Sequence, residues 1–398
     1  MAKKNGGGLL SVLEGIKTDK KLKINRDTIA NKDEVIEYTR TGSIILDKLL
    51  GKGDELGGVG NGRMVEIFGL ESSGKTTVAL AIAKEVQAAG KNVCFVDFEA
   101  ALDIDYASQA TGVDVSEERF VWLRPENLEE GCNIVDVLLD KHEESNVGIV
   151  IMDSVKAMLP KIVMDGMMGD EPPMALQARR IGQWLGKAVK RIKDTGTILV
   201  LLNQMTKNIK TNPFAGGGEY ETPGGLAIRF YASQRIQLKQ VRKETKKMLN
   251  PITQEEDDMP ISVITRASVI KNKIGTPYRK ATFHIKYGGG IDNMRSIVDI
   301  AIAMNIIVRG GAWYSYKPDE GGFKIQGEEP MRDFIFAEEN RGLLRDIASK
   351  LKFTPDEEVK KEAQDFEKVE EKSARKIARA SKKAQKEKEV KKEEVKAD

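Results

Sequence analysis

Residues 69 to 77 read Gly69-Leu70-Glu71-Ser72-Ser73-Gly74-Lys75-Thr76-Thr77, between the apolar run Met64-Val65-Glu66-Ile67-Phe68 and a helix-like stretch beginning at Val78. A glycine-rich turn of this spacing lets backbone N–H groups converge on phosphates, and the following helix turns the positive end of its dipole toward them. In that setting Lys75 neutralises β- and γ-phosphates, and the Thr76 hydroxyl completes the coordination of Mg²⁺. Three more segments end in groups that suit the same chemistry. The run Gly148–Met152 ends in Asp153, where a nucleotide-hydrolysing domain needs a carboxylate to hold Mg²⁺ through water. An acidic helix cap is the other reading, since Ser154 follows at once. Val93–Val96 leads into Asp97-Phe98-Glu99, where Glu99 is placed to accept the proton of an attacking water and Asp97 competes for that role. Leu199–Leu202 leads into Asn203-Gln204, an uncharged amide suited to sensing a γ-phosphate or simply a strand-end turn.

These groups need a scaffold that brings their run ends together. From about Tyr38 to Leu238, apolar β-rich runs alternate with helical patterns, which predicts a parallel sheet covered by helices. The expected strands are Val65–Phe68, Val93–Asp97, Phe120–Leu123, Gly148–Met152, Thr197–Asn203 and Arg235–Gln240. Right-handed crossovers put all their carboxyl ends on one edge, where the four motifs must meet. Two irregular stretches, Met164 to Pro173 and Met205 to Gly225, leave that same edge as loops, the second rich in glycine. Loops this long inside a compact domain are usually functional, and Lys207 and Lys210 are positioned to meet backbone phosphates.

Composition constrains the rest. The chain has 398 residues, 40% of them hydrophobic, which supplies a sizeable core. Its 64 basic and 61 acidic residues leave a net charge of +3, so any nucleic-acid site must be local. Lysine clusters stand at Lys207–Lys210 and Lys239–Lys247, either solvated surface or binding patches. Cys94 and Cys132 lack metal or redox spacing and read as reduced packing residues. His142 and His284 read as ordinary packing or surface residues. Met1–Gly8 has charge with no long apolar segment behind it, and no run reaches membrane-spanning length, so the expectation is a cytoplasmic protein with no membrane partner. Leu9–Ile16 has the spacing of one short helix, followed by a lysine-rich connection.

The ordered islands resemble the RecA-type DNA recombinases, from about Thr39 to Gly327. They are Thr41-Gly42-Ser43 with Leu46-Asp47, the Glu66–Thr77 segment, Glu99 followed by Ala101-Leu102-Asp103, Asp153-Ser154-Val155, and Asn203-Gln204. Downstream, Phe230-Tyr231-Ala232-Ser233, Lys271-Asn272-Lys273 and Gly311-Ala312-Trp313-Tyr314-Ser315-Tyr316 complete the pattern. The last two favour the bacterial type over related ATPases such as hexameric helicases or a nucleotide-switched DNA-binding scaffold.

The resemblance implies a RecA-like α/β core with a mainly parallel sheet, a short N-terminal helix and a small C-terminal α/β lobe. The expected divisions are 1–37 for the N-terminal helix and linker at a filament interface, 38–287 for the core, 288–353 for the lobe and 354–398 for a charged tail. It implies a DNA-dependent ATPase using ATP and Mg²⁺. The protein would form helical filaments on single-stranded DNA and exchange strands with a homologous duplex, in recombination, repair and the response to DNA damage. Loader and single-strand-binding proteins are further expected partners. By the same resemblance Glu99 is the catalytic glutamate, Gln204 the phosphate sensor, and Asp103 and Tyr106 adenine-side contacts. Phe230 presses into the next subunit, and Lys271 and Lys273 reach the neighbour's ATP. Met174 and Ile209 wedge between groups of stacked bases, Arg179 contacts backbone, and Gly224 and Gly225 donate main-chain N–H groups to phosphate. Ala100, Gly186, Thr206 and Ser268 depart from the family's usual residues, which implies partly rewired DNA contacts. The segment from Arg242 to Pro260 is longer than usual in the family, with a lysine-rich half and an acidic half. The tail from Thr354, almost wholly Lys, Glu, Ala and Arg, reads as disordered or as a solvent-exposed helix.

Overall fold

The computed structural model describes residues 35–166, 173–207, 220–249, 255–317 and 321–368, with residues 371 and 375. The chain divides into Met1–Glu37 and Tyr38–Asp398. The helix expected over Leu9–Ile16 lies outside the described residues. Among the described residues of the second unit, nine strands form one sheet. Edge to edge they are Gly290–Asp292, Lys280–Lys286, Glu256–Asn272, Gln234–Leu249, Met64–Gly69, Ile198–Gln204, Val147–Asp153, Asn92–Asp97 and Phe120–Leu123. The last six run parallel, and the first three extend them in antiparallel fashion. This is the α/β architecture expected from the sequence, and the predicted strand ends shift by a residue or so in the parallel part.

Near-continuous apolar runs become central strands because both faces are covered. Ile149 and Ile151 point to one side, with Val65, Ile67, Phe95 and the Lys75–Ala88 helix. Val150 and Met152 point to the other, with Cys94, Val96 and the helices Leu128–Asp140 and Pro173–Thr195. Cys94 and Cys132 are buried free thiols in this second layer. Caps set where helices begin: Asn127 Oδ1 accepts from Glu130 N at 2.9 Å, and Asp292 Oδ1 accepts from Arg295 N at 3.1 Å. Beyond Asp292, a small lobe packs the helices Asn293–Ala303, Glu328–Phe336 and Arg341–Ser349 with a three-stranded sheet, Val308–Gly310, Trp313–Tyr316 and Phe323–Gln326.

Three expectations need correction. The strand expected at Arg235–Gln240 runs on to Leu249 and returns from Glu256, so the long segment after Arg242 is a β-ribbon. The tail is not wholly disordered or solvent-exposed. Residues 357–368 form a helix whose Val359 and Ala363 are buried against Phe68 and Ile270, while Phe366 meets Phe68 edge to face at 5.8 Å. Arg266 pairs with Glu362 at 3.6 Å, and Lys280 with Asp356 at 3.3 Å and with Glu358. The low apolar content of the tail hid a stripe at positions 359, 363 and 366, which is sufficient for one helix face. His284 is also more than a packing residue: its Nε2 lies 2.5 Å from Asp299 and its Nδ1 3.3 Å from Glu244.

Candidate active site

The parallel register places the four motif ends side by side. Gly69 pairs with Gln204, Asp153 with Leu202, and Asp97 with Asp153, so the phosphate loop, the amide and both acidic strand ends share one edge. The loop from Gly69 through Leu70, Glu71, Ser72 and Ser73 ends at Gly74, whose φ of 89° is open to glycine and whose added Cβ would collide with Ile285. Gly74 precedes the first turn of the Lys75–Ala88 helix without any side-chain cap, which leaves that turn's N–H groups for an anion. Ser73 Oγ is buried with no hydrogen-bond partner, a polar atom inside the loop still to be satisfied.

Lys75 Nζ donates to the Leu70 carbonyl at 3.0 Å, closing the loop across its mouth. Burial lowers the Lys75 pKa, opposed by the negative charges of Asp153, Glu99 and Glu71. Thr76 Oγ1 donates to Asp153 Oδ2 at 2.9 Å. Burial pushes the Asp153 carboxyl up to about 6, with the charge of Glu99 adding to the rise and the Thr76 hydrogen bond opposing it. A hydroxyl and a carboxylate at this spacing, below a loop of free N–H groups, fit a hard divalent cation that takes its remaining oxygens from phosphate and water.

The two candidate bases have different surroundings. Asp97 is buried and accepts from Ala101 N at 3.3 Å, Leu102 N at 3.1 Å and Trp122 Nε1 at 3.2 Å, so it holds the following turn. Glu99 instead faces the cleft, where it accepts from Gln204 Nε2 at 3.0 Å and from the Ser154 hydroxyl. Lys156 Nζ lies 3.5 Å from the side-chain Oε1 of Gln204. Ser154 and Lys156 were not assigned roles from the sequence, and only their position just past the Asp153 strand end hints at them.

Asp103 caps a short turn by accepting from Tyr106 N at 3.0 Å, and the Tyr106 hydroxyl lies 2.9 Å from Thr77 Oγ1. Tyr106 therefore leans on the helix that starts at the phosphate loop. The Tyr287–Gly290 turn closes the same side, since a Cβ at Gly290 would strike the Ala110 carbonyl. It was read from the sequence only as the start of the lobe.

The second loop departs from the strand that ends at Gln204, and residues 167–172 and 208–219 of the two expected loops lie outside the described residues. Gln177 Nε2 donates to the carbonyls of Val155 at 2.7 Å and Met158 at 2.9 Å, anchoring the Pro173–Thr195 helix to the strand that carries Asp153. Arg179, two residues further on and so on the opposite side of that helix, is exposed. The side chains of Met174 and Lys207, and residues 208–219 with Ile209 and Lys210, lie outside what is described. The second loop is pinched at its base, where Thr206–Lys207 pair with Tyr220–Glu221. Gly224 and Gly225 both have left-handed φ, 92° and 71°, at the start of the Gly225–Tyr231 helix. Asn203 Nδ2 ties this turn to the strand by donating to Pro223 O and Glu66 Oε1, each at 2.9 Å.

Phe230, Lys271 and Lys273 are not brought to this cleft. Lys271 pairs in register with Arg235 and thus with Glu66, three residues short of Gly69, or about 10 Å along the strand. Their side chains turn to the far edge: Lys273 Nζ donates to the Phe230 carbonyl at 3.1 Å and Lys271 Nζ to that of Arg229. Burial, then the charges of Lys273, Arg235 and Arg229, lower the Lys271 pKa to about 8. The Phe230 side chain beside them is 68% exposed.

The sequence matches the RecA N-terminal domain over residues 20–292 and the RecA C-terminal domain over residues 295–353. It is 36% identical over 317 residues to Protein RecA of Bordetella avium (strain 197N), covering 80% of this chain and 82% of that protein. Over 322 residues it is 36% identical to Protein RecA of Azoarcus sp. (strain BH72), covering 81% and 85%. It is also 37% identical over 317 residues to Protein RecA of Frankia alni, covering 80% and 83%. With the strand-end constellation described above, these matches establish that the chain belongs to the RecA family of recombinases, which act in DNA recombination and repair.

Proposed function

We propose that this chain is a DNA-dependent ATPase whose catalytic site is completed by the next copy in a head-to-tail filament on single-stranded DNA. One observation carries the reading. The phosphate loop sits at one edge of the sheet, while Phe230, Lys271 and Lys273 sit at the other, where the two lysines donate to the carbonyls of Arg229 and Phe230. Two different half-sites at opposite edges make a heterologous contact, which repeats into a helix unless rotation closes it into a ring. Positive charge delivered in trans to the phosphates then makes hydrolysis depend on assembly.

In this reading the loop N–H groups and Lys75 bind the triphosphate, and Thr76 and Asp153 hold Mg²⁺. The ion, when bound, would supply positive charge that offsets the negative charge of the phosphates. Glu99 orients the attacking water and takes its proton. Gln204 spends one amide hydrogen on Glu99 and has another for the γ-phosphate. Because Gln204 ends the strand from which the Met205–Gly225 loop departs, loss of the γ-phosphate is transmitted to the DNA loop. Arg179, Lys207, Lys210, Gly224 and Gly225 hold the strand's phosphates, and Met174 and Ile209 separate its stacked bases.

Electron microscopy with single-stranded DNA tests this directly. Helical filaments with ATP and none with ADP are expected, with loss of assembly in Lys75→Ala. Closed rings would favour a helicase-like motor, and filaments that yield no strand-exchange products would favour a DNA scaffold.

A further inference from the structure

The strands Gln234–Leu249 and Glu256–Asn272 outlast the sheet that carries them. On one side pairing with Met64–Gly69 stops at Leu238, and on the other pairing with Lys280–Lys286 begins at Ser262. Beyond the Glu244–Ser262 pair no other strand among the described residues flanks the ribbon, and a two-stranded arm extends from Thr245 to Leu249, about 17 Å at ordinary strand rise. It leaves from the phosphate-loop edge, because Leu238 pairs with Gly69 and Thr265 Oγ1 donates to the Ser73 carbonyl at 3.3 Å. Its direction is fixed at the root. Glu244 accepts from the Ser262 hydroxyl at 2.6 Å and pairs with Arg295 at 3.2 Å. Through His284 and Asp299 the same cluster reaches Arg332 of the lobe.

Two features of the arm call for a partner. A two-stranded ribbon is marginal in water by itself, yet this one exposes Met248 and Leu249. Its charges are also sorted by strand, with Lys246 and Lys247 on the outgoing strand facing Met259 and Asp258 on the acidic return. Pro260 and the lysines discourage addition of another strand, so the arm offers side chains and not a backbone edge.

We propose that the arm clasps the next copy of this chain across the nucleotide junction. In head-to-tail stacking its root edge faces the neighbour's edge that carries Phe230, Lys271 and Lys273, and its length carries it beyond the junction. The acidic return strand complements that basic edge, and the apolar end supplies a contact that excludes water. A nucleic acid matches the arm less well, because residues 239–261 hold five basic and five acidic residues and no net charge. The proposal rests on the head-to-tail reading above.

The test replaces residues 247–258 by an Asn-Gly turn that closes the Lys246–Met259 pair and keeps Glu244 and Ser262 at the root. The protein concentration needed for assembly on single-stranded DNA with a non-hydrolysable ATP analogue should rise about tenfold or more, as expected for removal of an interface anchor. Nucleotide binding by the unassembled chain and capture of duplex DNA should stay within about twofold, as for a fold left intact. Glu256→Lys with Asp258→Lys, and separately Met248→Ser with Leu249→Ser, should shift assembly the same way in the full-length arm. Unchanged assembly in all three variants, or loss of duplex capture alone, overturns the arm's role and leaves the head-to-tail reading standing. Failure of the unaltered protein to assemble removes both.

Discussion

Glu99 is held from two sides, by the Gln204 amide and the Ser154 hydroxyl, in a cleft that Asp97 does not enter. Replacing Glu99 by Gln keeps size and hydrogen bonding but removes the proton acceptor. Nucleotide binding and filaments should survive, and turnover should fall by about a hundredfold or more. Undiminished single-turnover hydrolysis would return the role to Asp97. Lys271 gives a pH dependence with a defined sign. Its pKa in the isolated chain is about 8, against an ordinary 10.5, so its charge is present below pH 8 and lost above it. Burying the ammonium disfavours folding of the isolated chain, and that cost is relieved as pH rises from about 8 to 10.5. A phosphate delivered by the neighbour raises the pKa again, so assembly near pH 8.5 should take up protons. Calorimetry in buffers of different ionisation enthalpy would detect the uptake, and no buffer dependence would contradict it. Asp153, Glu99 and Gln204 were legible in the sequence because each ends an apolar run. Ser154 was not, because a hydroxyl after a strand end satisfies a cap as readily as it orients a carboxylate.

The elements differ in how openly the sequence declares them. Five of the six parallel strands are short apolar runs, which leaves few alternatives. The docked helix at residues 357–368 is harder to see, since three apolar side chains carry it within a run of charge. Phe366→Ala should loosen it by about 2 kcal/mol through loss of the edge-to-face contact and buried area. Hydrogen exchange should then accelerate over residues 357–368 and remain slow in Met64–Gly69, and uniform acceleration would mean that the helix belongs to the core. The ribbon past Arg242 was legible as an unusually long segment but not as strands. Its lysines and acids are not apolar alternation, and only cross-strand register reveals their order.

The unit Tyr38–Asp398 is polar at the largest scale, with the phosphate-loop motif at one sheet edge and a cationic, aromatic edge opposite. Sequence separation alone does not say whether Lys271 and Lys273 serve their own site or another, and only the family resemblance assigned them to a neighbour. The register, which ties Lys271 to Glu66 and holds it back from Gly69, supports the proposed reading in trans. Complementation between two impaired proteins tests the shared site most directly. Glu99→Gln retains the lysines without the base, and the double variant Lys271→Ala with Lys273→Ala retains the base without the lysines. Each alone should hydrolyse ATP poorly on single-stranded DNA, and an equal mixture should regain activity at about a quarter of its junctions, as random head-to-tail assembly requires. A mixture no more active than the average of its parts would contradict a site divided between neighbours.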